Sequence, residues 1–293
     1  MPRVDIPFSF DAGTGSTLFA GARADEAQIW QEVTRAQSRL GMGTWFRVCA
    51  EVQSWPGGDR PWLPRGVTAR PFDSTAPAYT QLHNFLDVMA TIPGAQVLLM
   101  PICNLKEDGT SPANRRKWVE TVARLADGYE NTALEVANEF VHPNSNISEG
   151  EMVTLISTAR RNFRGLIGTD DGIRRGNLRY NGALRGLVDF VSFHPCRTDN
   201  SHPDGLDCNW RGGGQNPSPA DLREIAEKNG PYILTETTGF DDFNRPGGCC
   251  TSNRDSIIEY KRACGAIADC TFLYHCVGNL GWPETSCSWY PEG

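Results

Sequence analysis

Short apolar runs alternate with amphipathic segments along nearly the whole chain. Runs at 4–10, 44–51, 96–103, 133–138, 165–169, 187–194, 231–236 and 271–276 read as strands. Between them, apolar residues recur three and four positions apart, which is the spacing of one helix face. Ile29, Val33, Ala36 and Leu40 form one stripe, and Leu82, Phe85, Leu86 and Met89 a second. Trp118, Val122, Leu125 and Tyr129 form a third, and Met152, Leu155, Ile156, Ala159 and Phe163 a fourth. Helix start signals agree. Ser111-Pro112 and Ser218-Pro219 each set a capping hydroxyl before a proline at the first helical position. Ser148 with Glu151 fits a capping box, and Ser252 with Asp255 is a weaker variant. These signals predict helices near 111–128, 218–229 and 252–268. The Arg- and Gly-rich stretch at 172–186 carries only a weak helical pattern.

Strands that alternate with helices form parallel sheets, because a parallel pair needs a crossover connection. Eight such strands closed on themselves make a (β/α)8 barrel, expected here as a single domain over residues 1–293. An open doubly wound sheet is the rival, but no glycine-rich phosphate-binding motif follows the early strands. Beyond residue 276 only 17 residues remain, including Pro283 and Pro291, so a full eighth helix is not expected. Long insertions fall at 50–73, 196–217 and 239–251. Each follows a strand, which puts all three at one mouth of the barrel.

Composition narrows the partners. A net charge of −7 speaks mildly against nucleic acid, and a neutral polymer such as a polysaccharide fits better. No apolar stretch approaches the roughly 20 residues needed to span a bilayer. The start, Met1-Pro2-Arg3-Val4-Asp5, shows no signal peptide. Of the ten cysteines, eight lie beyond residue 195, and none forms a C-x-x-C pair. Disulfide staples across the long loops are expected, hence an extracellular or otherwise oxidising compartment. Cys196–Cys208 and Cys276–Cys287 are candidate loop closures, while Cys49 and Cys103 suit either buried thiols or a bridge. A monomer is expected.

Two runs end in glutamate: Leu134-Glu135-Val136-Ala137-Asn138-Glu139-Phe140 and Tyr232-Ile233-Leu234-Thr235-Glu236-Thr237-Thr238. A carboxylate at the carboxyl end of a barrel strand sits at the mouth, where reactive groups collect. Counted along the chain, Glu139 follows strand four and Glu236 ends strand seven, and these strands face each other across a barrel. Two facing carboxylates are the minimum machinery for cleaving a glycosidic bond.

With these residues the chain resembles the clan A retaining glycoside hydrolases, a cellulase- and mannanase-like barrel superfamily, from about residue 44 to 282. The resemblance implies Glu139 as acid/base, Asn138 before it as a contact to the sugar 2-hydroxyl, and Glu236 as nucleophile. It implies Arg47, in Thr44-Trp45-Phe46-Arg47-Val48, near the nucleophile. It also implies His194 at the end of strand six and Trp282 after strand eight as substrate contacts. Two departures stand out. Pro195 and Cys196 follow His194 where cellulase-like members often carry tyrosine, and Asn104 stands where a histidine is common.

Trp55, Trp62, Trp210, Trp282 and Trp289 fall in predicted loops at the mouth, where an indole face suits the C–H face of a sugar. Trp55 and Trp210 join the candidate substrate-binding set, while Trp30 and Trp118 lie on helices and read as core. Plainer roles compete. A strand-end glutamate can cap a helix or pair with arginine, Arg47 can neutralise a buried carboxylate, and His194 can be a packing residue. Asp170-Asp171 is either a saccharide contact or a helix-starting turn. The long loops suggest an open cleft and endo-action on a polysaccharide or oligosaccharide, with no metal or organic cofactor. A non-catalytic carbohydrate-binding barrel is one alternative. A metal-dependent barrel hydrolase using His194 is another, disfavoured by the absence of His-x-His and H-E-x-x-H pairs.

Overall fold

A computed structural model describes residues 5–6, 9–10, 26–40, 45–50, 73–75, 77–102, 111–138, 140, 147–170, 179–193, 209–210, 214–215, 219–229, 233–237, 262–267 and 270–274. The strands are β1 (Asp5–Ile6), β2 (Ser9–Phe10), β3 (Trp45–Cys49), β4 (Gln96–Met100), β5 (Thr132–Glu135), β6 (Ile167–Asp170), β7 (Phe190–Phe193), β8 (Asn209–Trp210), β9 (Gly214–Gln215), β10 (Ile233–Thr237) and β11 (Cys270–Tyr274). The helices are α1 (Glu26–Leu40), α2 (Pro77–Thr91), α3 (Pro112–Ala126), α4 (Glu149–Asn162) and α5 (Leu222–Asn229).

Among the described residues, nine strands form one sheet in the order β1-β11-β10-β7-β6-β5-β4-β3-β2, and every pairing in it is parallel. β8 and β9 form a separate antiparallel pair. Each predicted run overlaps a strand of the large sheet, and the run at 4–10 carries both β1 and β2. These two short strands occupy opposite ends of the strand order although only residues 7 and 8 separate them in sequence.

The strands read as nearly continuous apolar runs because both faces of the sheet are covered. One face meets the helices. Val48, Val97, Leu99, Leu134, Ile167, Val191 and Phe193 join Ile29 and Val33 of α1 and the stripes of α2 to α4 in the main core. The other face holds a smaller cluster of Leu98, Ala133 and Phe190, with Trp45 and Leu166 against it. Alternation along each strand sorts the residues between the two.

Local signals set the helices. Ser111 caps α3 by accepting from Asn114 N at 3.2 Å, with Pro112 at the first turn. Ser148 caps α4 by accepting from Glu151 N at 3.2 Å. Trp118 is buried on α3, and its indole N–H donates to Ala50 O at 2.8 Å, tying the helix to the end of β3. Arg115 and Glu151 join α3 to α4 through two hydrogen bonds of 2.7 and 2.9 Å. Trp30, expected in the core, packs against it while only partly buried.

Residues 172–178 of the weakly helical stretch at 172–186 lie outside the described residues, and the remainder departs from that pattern, since 182–187 are turns. Asn181 is the reason. Its side-chain oxygen accepts from Ala183 N at 2.8 Å, and its carbonyl accepts from Leu184 N and Arg185 N at 3.1 and 3.0 Å. An asparagine that binds its own downstream backbone favours a turn over a continuing helix.

Gly168 on β6 makes room for Phe190 on the inner face. A Cβ at this position would lie 2.2 Å from Phe190 Cε2 and 2.4 Å from Cδ2. The Phe190 ring is buried and packed on Leu98 and Ala133, so it has nowhere to retreat. Gly168→Ala should therefore destabilise the fold by about 1–3 kcal/mol through overpacking. Chemical denaturation checks this, and an unchanged midpoint would mean that the ring moves aside freely.

Candidate active site

All strands of the main sheet run the same way, so their carboxyl ends share one edge. There a buried polar network crosses three strands. Arg47, from the middle of β3, points away from the helices. Its Nε donates to Glu135 Oε2 and its Nη2 to Glu135 Oε1, each at 2.6 Å. Nη2 also donates to Asn138 Oδ1 at 2.9 Å. From β7, Ser192 Oγ donates to Glu135 Oε1 at 3.0 Å. Arg47 is 1% exposed and Glu135 0%, whereas Asn138 is only partly buried.

These contacts reveal the shape of the sheet. Adjacent strands stand about 4.8 Å apart, so β3 and β5, like β5 and β7, are separated by roughly 10 Å. Side chains can meet across an intervening strand only where the face is concave. Gly168 is the register partner of Glu135 on that intervening strand and adds no side chain between them. Two ions removed from water carry a desolvation cost of several kcal/mol each, offset only by close geometry and added hydrogen bonds. The two-point contact, Ser192 and Asn138 supply both.

The backbone after β5 is also held from both sides. Val136 N donates to Gly168 O at 2.8 Å and Asn138 N to Ile102 O at 2.9 Å. Asp170 N donates to Ala137 O at 3.2 Å, and Thr169 Oγ1 reaches the same carbonyl at 2.9 Å. Asn138 therefore stands at a defined place beyond the strand end, with Phe140 buried two residues later. Glu139 lies between them in sequence and outside the described residues.

Glu236 is the fourth residue of β10, and its backbone is in register with Leu273 of β11. It stands two residues beyond Leu234, the register partner of Ser192. Its side chain, and those of His194, Trp55, Trp210 and Trp282, lie outside the described residues. So do the cysteine pairs 196–208 and 276–287 and the segment after 274. Trp210 is placed only through its backbone, in register with Gly214.

The structure thus joins Arg47 to Asn138, two residues singled out in the sequence. The resemblance set Arg47 beside Glu236, but its described carboxylate partner is Glu135. The plainer role, neutralising a buried carboxylate, operates together with the contact to Asn138. Sequence reasoning passed over Glu135 and Ser192. The signal was present: charged side chains are almost never fully buried unless paired. Glu135 and Arg47 both interrupt strand runs buried on two faces. Asp170 is the last residue of β6 and fully buried, while Asp171 lies outside the described residues. Among the described residues, no group of three or more His, Cys, Asp or Glu could hold a metal ion. No described helix is long and apolar enough to cross a membrane.

No family model matches the sequence, and no curated protein matches it either. Solved structures do. A GH113 β-1,4-mannanase is similar at 13% identity and a TM-score of 0.59, over 98% of this chain and 93% of that one. The GH113 β-mannanase AaManA from Alicyclobacillus acidocaldarius is similar at 13% identity and 0.53, over 94% and 87%. Thermotoga maritima Cel5A in complex with cellobiose is similar at 12% identity and 0.57, over 95% and 90%. At this identity the likeness concerns the fold alone: the parallel sheet and its crossover helices are laid out as in those barrel proteins.

Proposed function

We propose that the protein is a retaining glycoside hydrolase acting on a polysaccharide or oligosaccharide. The observation that carries this reading is the Arg47–Asn138 contact at the strand ends, one residue before Glu139, in a fold shared with glycoside hydrolases. In this reading the sheet closes into an eight-stranded barrel. The pairing of β1 with β11 and of β2 with β3 supports closure, because the two halves of one short segment meet the two ends of the sheet. Closure sets Glu139 and Glu236 across the mouth, about 5–5.5 Å apart as retention requires.

Glu236 attacks the anomeric carbon and forms a glycosyl ester, while Glu139 protonates the departing oxygen. Glu139 then takes a proton from water, which attacks the same carbon and releases the sugar with its original configuration. Asn138 donates to the 2-hydroxyl. His194, Trp282, Trp210 and Trp55 line the saccharide path in this assignment, and the long loops leave a cleft open at both ends for endo-action. The similar solved structures include mannanases and a cellobiose complex, so β-linked mannan and glucan are the first substrates to try. The cysteine-rich loops suit an oxidising compartment.

The test is proton NMR of the newly formed anomeric centre during digestion of a panel of polysaccharides. Retained configuration and products of mixed chain length are expected. Initial inversion would remove the double displacement, and monosaccharide release alone would remove endo-action.

A further inference from the structure

We infer that Glu135 is a positioning residue that acts through Arg47 to aim the amide of Asn138 at the sugar 2-hydroxyl. This rests on the glycosidase reading above and adds a residue to it. The guanidinium carries five N–H donors in one plane. Glu135 occupies Nε–H and one hydrogen of Nη2, both at 2.6 Å, and that two-point grip sets the orientation of the plane. The second hydrogen of Nη2 then has one direction open to it, and Asn138 Oδ1 receives it at 2.9 Å. Arginine offers donors only, so the oxygen end of the amide faces Arg47 and Nδ2 is the end turned away. Ser192 steadies the carboxylate from a third strand at 3.0 Å.

Burial separates the roles. Arg47 and Glu135 are enclosed, and only Asn138 is partly exposed. The opposite charges of Arg47 and Glu135 offset each other inside the network. What the pair delivers to the mouth is therefore direction rather than net charge. Stability alone does not account for it, since apolar residues of equal volume often serve a core as well as a buried ion pair.

In Glu135→Gln one carboxylate oxygen becomes an NH2 group, which meets a guanidinium N–H donor to donor. The two-point grip is lost, and the direction of Nη2 with it. The test compares an aryl β-mannobioside or β-cellobioside, whichever the wild type cleaves, with the analogue lacking the 2-hydroxyl on the sugar that bears the aryl group. Glu135→Gln should lower kcat/KM about 100-fold on the hydroxylated substrate, because the 2-hydroxyl contact tightens in the transition state. On the 2-deoxy analogue it should change kcat/KM less than about 3-fold, the contact being absent there. Ser192→Ala is a milder variant that keeps the charges; a roughly 5-fold loss is expected, again only with the 2-hydroxyl present. Equal losses on both substrates would make the network merely structural, and no loss on either would overturn the inference. Wild type without turnover, or Glu139→Gln with full turnover, would instead remove the glycosidase reading and this inference together.

Discussion

Glu236→Gln is expected to abolish turnover while leaving the fold and saccharide binding intact. Glutamine keeps the size of the side chain and removes its nucleophilic oxygen, so no glycosyl ester forms. Glu139→Gln should lower turnover by roughly 10²–10⁴-fold, the range for a lost general acid/base, and Glu236→Gln by at least as much. The two variants separate by leaving group. An aryl glycoside with an acidic phenol departs without protonation, so Glu139→Gln should still show a burst of phenol and accumulate the covalent intermediate. Mass spectrometry should find the added sugar on the peptide containing Glu236. Turnover retained in Glu236→Gln, or label on any other carboxylate, would end the double-displacement proposal. Binding retained by both variants, measured by calorimetry on an oligosaccharide, separates loss of chemistry from loss of shape.

Arg47→Leu should produce the largest change in stability. It leaves Glu135 buried with its charge uncompensated, and breaking a buried pair in this way costs about 3–5 kcal/mol. Differential scanning calorimetry should register a melting temperature lower by on the order of 10 °C. The double variant Arg47→Leu with Glu135→Leu should recover most of that stability, because the buried charge is gone and the two side chains join the inner apolar cluster. It should not recover activity, since Asn138 has lost its donor. A single Arg47→Leu as stable as the wild type would mean that Glu135 finds another partner or sheds its charge easily. Catalytic recovery in the double variant would mean that Asn138 needs no help from Arg47.

Strands β3 to β7 were legible because they are buried on two faces, so their residues read as apolar runs such as Val97-Leu98-Leu99-Met100. The helices were legible because Leu82, Phe85, Leu86 and Met89, or Met152, Leu155, Ile156 and Ala159, repeat at the spacing of one face. Capping chemistry at Ser111 and Ser148 is local, and it holds at both positions. The described part of the stretch at 172–186, residues 179–186, shows the limit of such patterns. There one asparagine side chain, bonded two residues downstream, outweighs a faint helical spacing.

The network was not legible in the same way. Arg47 and Glu135 are 88 residues apart, and β4 stands between their strands. Arg47 is in register with Leu98 and, through it, with Ala133, two residues short of Glu135. Which carboxylate an arginine takes depends on that register and on the curl of the sheet, and neither is written in a local pattern. The same holds for Gly168, whose missing side chain matters only because Phe190 on the next strand lies over it.

Local spacing alone determined that strands and helices alternate, that all eight runs join one parallel sheet, and that Asn138 follows a strand end. Those properties follow from backbone geometry and from which side chains must leave water. Only the assembled sheet decided that Arg47 grips Glu135, borrows Ser192 from a third strand and turns its last hydrogen to Asn138. Distant residues meet by register and curvature, and a buried charge settles on the partner that this geometry brings within hydrogen-bond reach.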